Sequence, residues 1–505
     1  MENKIYFTEL ECYKKATEKA KANIGKNACF DLELLPGMGM REEMDRYIKK
    51  RDSCISATYM CEERKNYHHL CRFLQAKGKN ADSFLDRSKE KWIRQLQAWM
   101  LTEQMPITRT ETGTYQNKSI VKAPLISFFI RVLDSVEPLD EREETEKDIW
   151  ELDKLGLEIR WNPVKNYKTL NFTKIYQPDI RSETKKAIYL HLKSDAISTV
   201  SRQLTAMRRF SLFLKDKHAE VESCRDIDRE IFEEYLIFLQ TEYTQTKQFH
   251  GELSKLRSVL ETIGKVYRYL QLESLILKRD IPPNTKAEFK VYSDGEMKRF
   301  NAALIKMDEQ TVRLMIIHQM LGTRISDTLT LRTDCLREED GVVIIRIKQM
   351  KTHPYEKPIS EELAALIRMA VSHTKDKYGE TTYIFVNEQN PEKPMQYGTL
   401  QQRIVRMIYR EELKDDEGKY FGFGTHMYRH YYGVKLTEMH LDDWTIAKLL
   451  GHSSVSNVRY YRKMSNQILA DETRRARHRL SEMILDNLDG WGEEYEQIRY
   501  DDSLE

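Results

Sequence analysis

The sequence Ile281-Pro-Pro-Asn-Thr-Lys limits what this chain can fold into more than any other stretch. Proline fixes its own φ, has no backbone N–H, and disfavours a helical conformation in the residue before it. The pair therefore predicts an extended linker at 281–289. The chain has 505 residues, more than one hydrophobic core usually contains, so several domains are expected. We take this linker as the main domain boundary.

Before the linker, apolar residues recur mainly at helical spacing. The predicted order is an N-terminal leader, 1–50, an N-terminal extension, 51–180, and a helical unit, 184–280. Basic side chains lie along two amphipathic helices of the last unit: Arg202, Arg208, Arg209, Lys255, Arg257, Lys265 and Arg268. Basic residues on successive helices favour a DNA-facing surface, although the solvated faces of ordinary helices share this pattern.

Two segments before the linker resemble each other. A shift of 140 residues aligns Leu70 with Phe210 and Trp92 with Phe232, without a gap. This agreement predicts that 51–104 is a helical unit of the same type as 184–280. The alternative is coincidence, because any two amphipathic helices share the same period.

After the linker, 290–465 reads as one mixed unit followed by a tail, 466–505. A buried helix at 310–321 ends at Gly322, and a second helix begins at Arg324. A β-branched strand at 341–352 turns at His353-Pro354 and returns, which predicts a β-hairpin. Helices are predicted at 360–375, 398–412, 426–440 and 444–450.

Composition restricts the compartment and the class of protein. Seven cysteines are not spaced as a disulfide framework, and the five within the first 71 residues lack a C-x-x-C pair. Reduced thiols are therefore expected, with a zinc site near His68 and His69 as the alternative. No apolar run is long enough to cross a bilayer, and the N-terminus has no signal-peptide pattern, so a cytoplasmic location is expected. The net charge of +2 does not exclude a clustered basic surface.

Residues 425–461 contain the side chains needed to attack a phosphodiester. Tyrosine supplies a nucleophile, arginine neutralises phosphate, and histidine moves protons or donates a hydrogen bond. Thr425 is expected to be an N-cap that places His426 and Arg429 in the first turn of a helix, where free N–H groups favour a phosphate. His452 follows a helix stop, and Tyr460 and Tyr461 lie eight and nine residues later.

Two upstream segments complete this set. Arg324 lies at another helix start, and Asp327 is positioned to hold its guanidinium. Lys351, near the predicted hairpin tip, would protonate a leaving oxygen. Counting from Gly341 instead favours Lys348, so the two lysines remain alternatives.

Three motifs in this order resemble those of the tyrosine recombinase (phage integrase) family. They are Leu-Gly-Thr-Arg324-Ile-Ser-Asp327, His426-Met-Tyr-Arg429-His430 and Leu-Leu-Gly451-His452, the last followed after nine residues by Tyr461. The resemblance covers about 184–470. It implies a mainly α multidomain fold, with a helical core-binding (SAM-like) domain and a mixed α/β catalytic domain that contains a small antiparallel sheet.

The resemblance also implies roles. Arg324 and Arg429 would clamp the scissile phosphate, His426 would handle the nucleophile's proton, His452 would support the phosphate, and Tyr461 would form a covalent 3′-phosphotyrosyl link. No metal or other cofactor is expected. The implied function is site-specific DNA recombination or integration for a mobile element, and the expected partners are duplex DNA and three further copies of the chain at synapsis. Accessory DNA-bending or directionality factors are compatible additions.

Two alternatives remain at this level. A type IB topoisomerase or hairpin telomere resolvase uses the same residue types to relax supercoils or seal hairpins. A DNA-binding regulator could keep the fold without catalysis, although all six residues are present. The N-terminal 180 residues exceed what a core recombinase needs, and accessory DNA or a partner protein is their expected ligand.

Overall fold

The computed structural model describes residues 3–138, 140–242, 249–283, 290–349, 353–458 and 461. The chain divides into two compact units, 1–141 and 142–505. Each unit is described separately below.

The N-terminal unit is mainly helical, with two small β-hairpins. Its elements are β1 (Lys4–Tyr6), α1 (Glu11–Lys14), α2 (Glu18–Ile24), β2 (Cys29–Asp31), α3 (Met38–Asp52), α4 (Ala57–Lys77), α5 (Lys89–Thr102), β3 (Thr108–Thr112), β4 (Lys118–Lys122) and α6 (Pro124–Val136). Strands β1 and β2 pair antiparallel, as do β3 and β4. Helix α6 begins at a proline, which suits the first helical turn because no N–H is needed there.

One hydrophobic cluster joins the whole N-terminal unit. It extends from Ile5 and Phe7 to Val132 and Leu133, and its large buried side chains include Trp92. The predicted division into a leader, 1–50, and an extension, 51–180, is therefore wrong. Residues 1–50 help to bury the same core as 57–133, and the boundary between the two units falls at 141/142.

The second unit begins with a helical part that has its own hydrophobic cluster. Its elements are β5 (Ile149–Glu151), β6 (Thr169–Asn171), α7 (Pro178–Leu192), α8 (Ile197–Lys217), α9 (Arg229–Thr241), α10 (His250–Tyr267) and α11 (Leu270–Glu273). Strands β5 and β6 form an antiparallel pair. This part includes residues 142–180, which the sequence pattern placed in the N-terminal extension.

The helical part of the second unit repeats several consecutive elements of the N-terminal unit. Strands β2 and β6, helices α3 and α7, and helices α4 and α8 each begin and end 140 positions apart. A 3₁₀ turn at Phe84–Asp86 likewise corresponds to one at Cys224–Asp226. The predicted similarity of 51–104 to part of 184–280 is confirmed, and it extends upstream to the small hairpin.

Buried polar contacts repeat at the same interval. The Glu43 carboxylate accepts hydrogen bonds from Ser83 Oγ at 2.5 Å and Phe84 N at 2.9 Å. The Glu183 carboxylate accepts from Ser223 Oγ and Cys224 N, both at 2.8 Å. Amphipathic periodicity alone does not reproduce such contacts, because it carries no information about a buried carboxylate and its donors. The two segments therefore share a fold and not only a helical period.

Several of the basic side chains expected to face DNA are engaged within the fold. Arg208 Nε donates to the Asn171 carbonyl at 3.0 Å, and Arg209 forms an ion pair with Glu252. Arg257 pairs with Glu261 one turn along α10. Arg202 is exposed. Fewer of these basic side chains are therefore available to contact DNA than the sequence predicts.

The remainder of the second unit is a mixed α/β arrangement. Its elements are α12 (Asp294–Leu304), α13 (Glu309–Leu321), α14 (Ile325–Leu329), β7 (Leu336–Glu339), β8 (Val342–Ile347), β9 (Tyr355–Pro358), α15 (Glu361–Tyr378), β10 (Val386–Asn387), β11 (Asn390–Pro394), α16 (Tyr397–Arg410), α17 (Thr425–Glu438) and α18 (Asp443–Leu450). Strands β7, β8 and β9 form one antiparallel sheet in that order. The predicted hairpin is β8–β9, and β7 is an additional strand.

The mainly α fold with small antiparallel sheets is confirmed. The core of this part buries the apolar faces of α12, α13, α15 and α16 against the sheet. Val164 belongs to the same cluster, and its carbonyl accepts a hydrogen bond from Tyr397 N at 3.0 Å. No helix among the described residues is long and apolar enough to span a bilayer. All seven cysteines are unpaired thiols, and the described residues contain no cluster of three or more His, Cys, Asp or Glu side chains suited to a metal.

Candidate active site

Helix α17 presents two of the predicted site residues differently from the expectation. Gly424 is its N-cap and Thr425 its first residue, so the expected Thr425 cap is wrong. His426 lies exposed in the first turn. Arg429 lies in the second turn and is buried, with 1% of its surface exposed. The two residues share a helical face, but only His426 is near the free N–H groups.

Arg429 connects the ends of two other helices. Its Nη1 donates to the Gly322 carbonyl at 3.0 Å and its Nη2 to the Leu450 carbonyl at 2.7 Å. Both helices, α13 and α18, end in a left-handed glycine, Gly322 at φ 61° and Gly451 at φ 62°. The guanidinium thus brings together the turns that precede Arg324 and His452.

Arg324 is the N-cap of α14, as the glycine stop at 322 predicts. Its Nη1 lies 3.9 Å from Asp327 Oδ2, and the Asp327 side chain is almost completely buried. About a quarter of the Arg324 side chain is exposed. The two side chains therefore lie at ion-pair distance, and part of the Arg324 guanidinium side chain stays accessible.

His452 lies directly after Gly451, against the β8–β9 hairpin. Its backbone N–H donates to the Ala447 carbonyl at 2.8 Å. Gln349 Nε2 donates to the Gly451 carbonyl at 3.1 Å. A Cβ at Gly451 would lie 2.4 Å from Gln349 Nε2 and 2.6 Å from the Tyr355 ring. Only glycine therefore allows the hairpin to approach the His452 turn this closely.

Tyr461 is buried beside two of the predicted site residues, Arg429 and His452, and beside His430. Its ring centroid lies 6.3 Å from that of His452, with the ring planes 15° apart, and 6.0 Å from that of His430. Arg429 lies close enough to Tyr461 to lower the pKa of its phenol. His430 in turn lies 4.5 Å from the ring of His426. The structure therefore brings Tyr461, Arg429, His452 and the histidine pair of α17 into one cluster.

Several buried polar atoms around this cluster have no hydrogen-bond partner among the described residues. They are Arg324 Nη1, His452 Nδ1, Tyr355 Oη and Gln349 Oε1. An unsatisfied buried polar atom costs on the order of 1–3 kcal/mol, so four such atoms around one cluster leave a site that a polar ligand would stabilise. The oxygens of a phosphate beside Arg324 and His452 would accept hydrogen bonds from N–H groups of these two side chains.

The protonation states follow from burial and positive charge. Burial, the largest cause, and the charges of Arg429 and Arg324 together lower the pKa of His452 to about 3. His430 has a pKa of about 3 for the same main reason, with further lowering by the neighbouring His426 and Arg429. Burial raises the pKa of Tyr461, while Arg429 lowers it by its charge and its hydrogen bond. At neutral pH His452 and His430 are thus neutral, and Tyr461 is a protonated phenol beside a guanidinium.

Some predicted residues fall outside the described part of the chain. Lys351, Tyr460 and the tail from residue 462 onwards are among them. Lys348, the alternative lysine, is exposed and lines a surface cavity with Arg332 and Arg346.

Sequence reasoning missed two buried groups at the base of the site. His318 Nε2 donates to the Thr425 carbonyl at 3.1 Å, so its Nδ1 accepts from Thr328 Oγ1 at 2.9 Å. Lys357 donates to two backbone carbonyls and is 5% exposed. The sequence signal for Lys357 was a lysine at an inward-facing position of a predicted strand. The histidine could not be found, because its two partners lie on separate segments, one of them 107 residues away in sequence.

The chain is similar to known proteins over most of its length. Residues 291–467 match the model of the phage integrase family. Transposase B from transposon Tn554 of Staphylococcus aureus is 24% identical over 409 residues, which are 79% of this chain and 65% of the transposase. The chain thus spans less than two thirds of the length of this relative. Tyrosine recombinase XerA of Pyrococcus horikoshii is 24% identical over 236 residues, 46% of this chain and 76% of XerA.

The chain is also similar to a solved structure over part of its length. The crystal structure of the XerH site-specific recombinase bound to palindromic difH substrate, a post-cleavage complex, covers 60% of this chain and 91% of its own, at 16% identity and a TM-score of 0.44. The family model covers the segment that contains Arg324, Arg429, His452 and Tyr461. The resemblance seen in the three motifs is confirmed by the match of residues 291–467 to the model of the phage integrase family.

Proposed function

We propose that this chain is a site-specific DNA recombinase of a mobile element, and that Tyr461 is its nucleophile. The observation that carries the proposal is the burial of Tyr461 against Arg429 and His452, with Arg324 close enough to influence its pKa. The similarity to a transposon's transposase supports the mobile-element assignment. A cytoplasmic location is part of the same proposal, since the substrate is DNA.

The chemistry exchanges one phosphodiester for another. Tyr461 Oη would attack the phosphorus and lose its proton to His426, while the P–O5′ bond breaks and the 5′ oxygen takes a proton from Lys351. Arg324 and Arg429 would neutralise the charge that develops on the phosphate oxygens. A 5′-hydroxyl of the partner duplex then attacks the phosphotyrosyl link and releases the tyrosine. No ATP is required, because the bond energy is kept in the covalent link.

Trapping on a nicked suicide duplex tests the nucleophile. The short fragment that carries the new 5′-hydroxyl diffuses away, so a covalent protein–DNA adduct accumulates. Tyr461→Phe should abolish the adduct, and Tyr460→Phe should retain it. Loss of the adduct only with Tyr460→Phe would overturn the assignment of Tyr461. The absence of any adduct with the unaltered chain would favour a DNA-binding regulator without catalysis.

Relaxation of a supercoiled plasmid separates recombination from topoisomerase activity. A recombinase needs its cognate site and a second duplex, so a plasmid without the site should stay supercoiled. Relaxation independent of site would instead indicate a type IB topoisomerase. A sealed hairpin product would indicate a telomere resolvase.

Assembly is the next part of the proposal. Two protomers would grip each duplex between 184–280 and 290–465, and four would meet at synapsis, with two cleaving at a time. The tail, 466–505, would dock on a neighbouring protomer. Deletion of 466–505 should spare duplex binding and reduce recombination, and unchanged recombination would contradict the docking role. Accessory DNA-bending proteins would act on the flanking DNA.

The N-terminal unit has its own proposed role. It shares helices and the Glu43 and Glu183 contacts with the helical part of the second unit. Because that part is proposed to bind DNA, the similarity favours accessory DNA over a protein partner as the ligand of the N-terminal unit. Photochemical crosslinking of the full chain to DNA that carries the flanks of the element should yield crosslinked peptides from 1–141 as well as from 142–283. Crosslinks confined to the second unit would contradict an accessory DNA site.

A further inference from the structure

Lys357 is a buried cation beneath the candidate active site that has no role in the chemistry proposed above. It lies on β9, and its side chain is 5% exposed. Its Nζ donates to the Leu321 carbonyl at 2.6 Å and to the Leu449 carbonyl at 3.1 Å. These carbonyls belong to the last residue of α13 and to the last turn of α18.

Lys357 and Arg429 make parallel bridges between the same two helices. Arg429 joins the carbonyls of Gly322 and Leu450, and Lys357 joins those of the residues immediately before them. The carbonyls at the end of a helix lack intrahelical donors and carry partial negative charge, so cations are favoured there. Two adjacent cations thus satisfy four carbonyls, two from each helix.

Both bridged helix ends lead directly into predicted site residues. Arg324 lies three residues after Leu321, and His452 lies three residues after Leu449. Each connection passes through a left-handed glycine and is therefore short and sterically restricted. Any change in the separation of the two helix ends would move Arg324 relative to His452.

We infer that Lys357 is a positioning residue, which holds the ends of α13 and α18 at the separation that lets Arg324 and His452 act on one phosphate. This inference rests on the strand cleavage proposed above. Lys357 does not itself touch the DNA, because its two bonds and the nearby Tyr432 ring, 5.2 Å from Nζ, enclose its ammonium group.

Burying a lysine at position 357 is energetically unfavourable, which indicates that its side chain has a specific role. Burial, the larger cause, and the positive charge of Arg429 together lower the pKa of Lys357 to about 7. A β-branched apolar residue at this inward strand position would avoid that cost. The hydrogen bonds to the two helix ends are the specific contribution that a lysine makes here.

Adduct formation on the nicked suicide duplex tests this role. Lys357→Met keeps the length and volume of the side chain but cannot donate hydrogen bonds. We expect its cleavage rate at saturating DNA to fall about 10–100-fold, as a displacement of catalytic groups by roughly 1 Å would cause. DNA affinity should stay within about threefold, because phosphate and base contacts elsewhere dominate it. Lys375→Met, which removes an exposed lysine of α15, is the matched control and should cleave normally.

A duplex with sulfur in place of the bridging 5′ oxygen distinguishes positioning from proton donation. A thiolate leaves without protonation, because its conjugate acid is far stronger than that of an alkoxide. The substrate should restore cleavage by Lys351→Met, the variant of the proposed general acid. It should not restore cleavage by Lys357→Met, and restoration would overturn the positioning role. Lys357→Arg, which keeps the charge and the donors, should recover part of the oxygen-substrate rate.

Hydrogen exchange gives a readout that does not depend on cleavage. In Lys357→Met, amide exchange should rise in 321–326 and 449–454 and stay unchanged in α15. Equal exchange in the variant and the unaltered chain would overturn the inference even if cleavage fell. If the unaltered chain forms no adduct at all, the proposed function fails, while this measurement still decides whether Lys357 holds the two helix ends.

Discussion

The ring of Tyr461 fills the space beside Gly433 in which any other residue would have its Cβ. A Cβ at Gly433 would lie 2.8 Å from one atom of that ring and 2.9 Å from two more. Gly433 is one turn after Arg429 on the same face of α17. The helix therefore offers the tyrosine a flat surface next to the arginine that would neutralise its target phosphate.

We predict that Gly433→Ala displaces Tyr461 and reduces adduct formation at least about tenfold while DNA affinity is kept. The substitution should not unfold the helix, because alanine favours a helix interior over glycine by about 1 kcal/mol. Gly398→Ala is the control, since a Cβ there meets no atom within 4 Å. Full adduct formation by Gly433→Ala would show that the buried position of Tyr461 is not the reactive one.

Arg429→Lys should destabilise the catalytic part of the chain as well as inactivate it. A lysine ammonium cannot span the Gly322 and Leu450 carbonyls as the planar guanidinium does. We expect a loss of about 2–4 kcal/mol in the free energy of opening of α17 and α18. Native-state hydrogen exchange measures this quantity. Arg368→Lys, an exposed arginine of α15, should leave it unchanged.

His318 should make the second unit sensitive to mild acid. Burial lowers its pKa to about 4 in the folded chain, against about 6.5 when unfolded. The unfolded chain therefore binds more protons between pH 6.5 and 4, so stability is retained above pH 6.5 and is lost as the pH falls towards 4. The loss should reach about 3 kcal/mol.

Denaturation at a series of pH values checks the contribution of His318. His318→Asn should be less stable at pH 7 but should show a smaller decline between pH 6.5 and 4. His440→Asn, at an exposed position with φ 58° that asparagine tolerates, should retain the full decline. An unchanged decline in His318→Asn would assign the acid sensitivity to other groups.

The repeated carboxylates should have matching energetic roles. Glu43→Gln leaves one acceptor oxygen for two donors, Ser83 Oγ and Phe84 N, and Glu183→Gln does the same for Ser223 and Cys224. Each substitution should destabilise its own unit by about 1–3 kcal/mol and spare the other. Hydrogen exchange resolved by unit measures both effects. Glu42→Gln, at the exposed neighbouring position, should change neither unit.

The sequence by itself determined the motifs and most of the local structure. The glycine stops at 322 and 451, the β8–β9 hairpin and the helix that carries Arg429 follow from short-range rules of φ, periodicity and capping. The spacing of nine residues from His452 selected Tyr461, which the structure places against Arg429 and His452. The 140-residue repeat was also visible as a pattern of apolar positions.

Only the tertiary structure decided how these segments meet. The burial of Arg429 between two helix ends, the His318 network and the Lys357 bridge each join residues about 10 to more than 100 positions apart. The sequence pattern also separated residues 1–50 wrongly from the core that they share with 57–133. Local pattern cannot show which apolar faces will pack together. Local rules act within a few residues, whereas a buried charge is placed by whichever carbonyls the completed core brings within hydrogen-bonding distance.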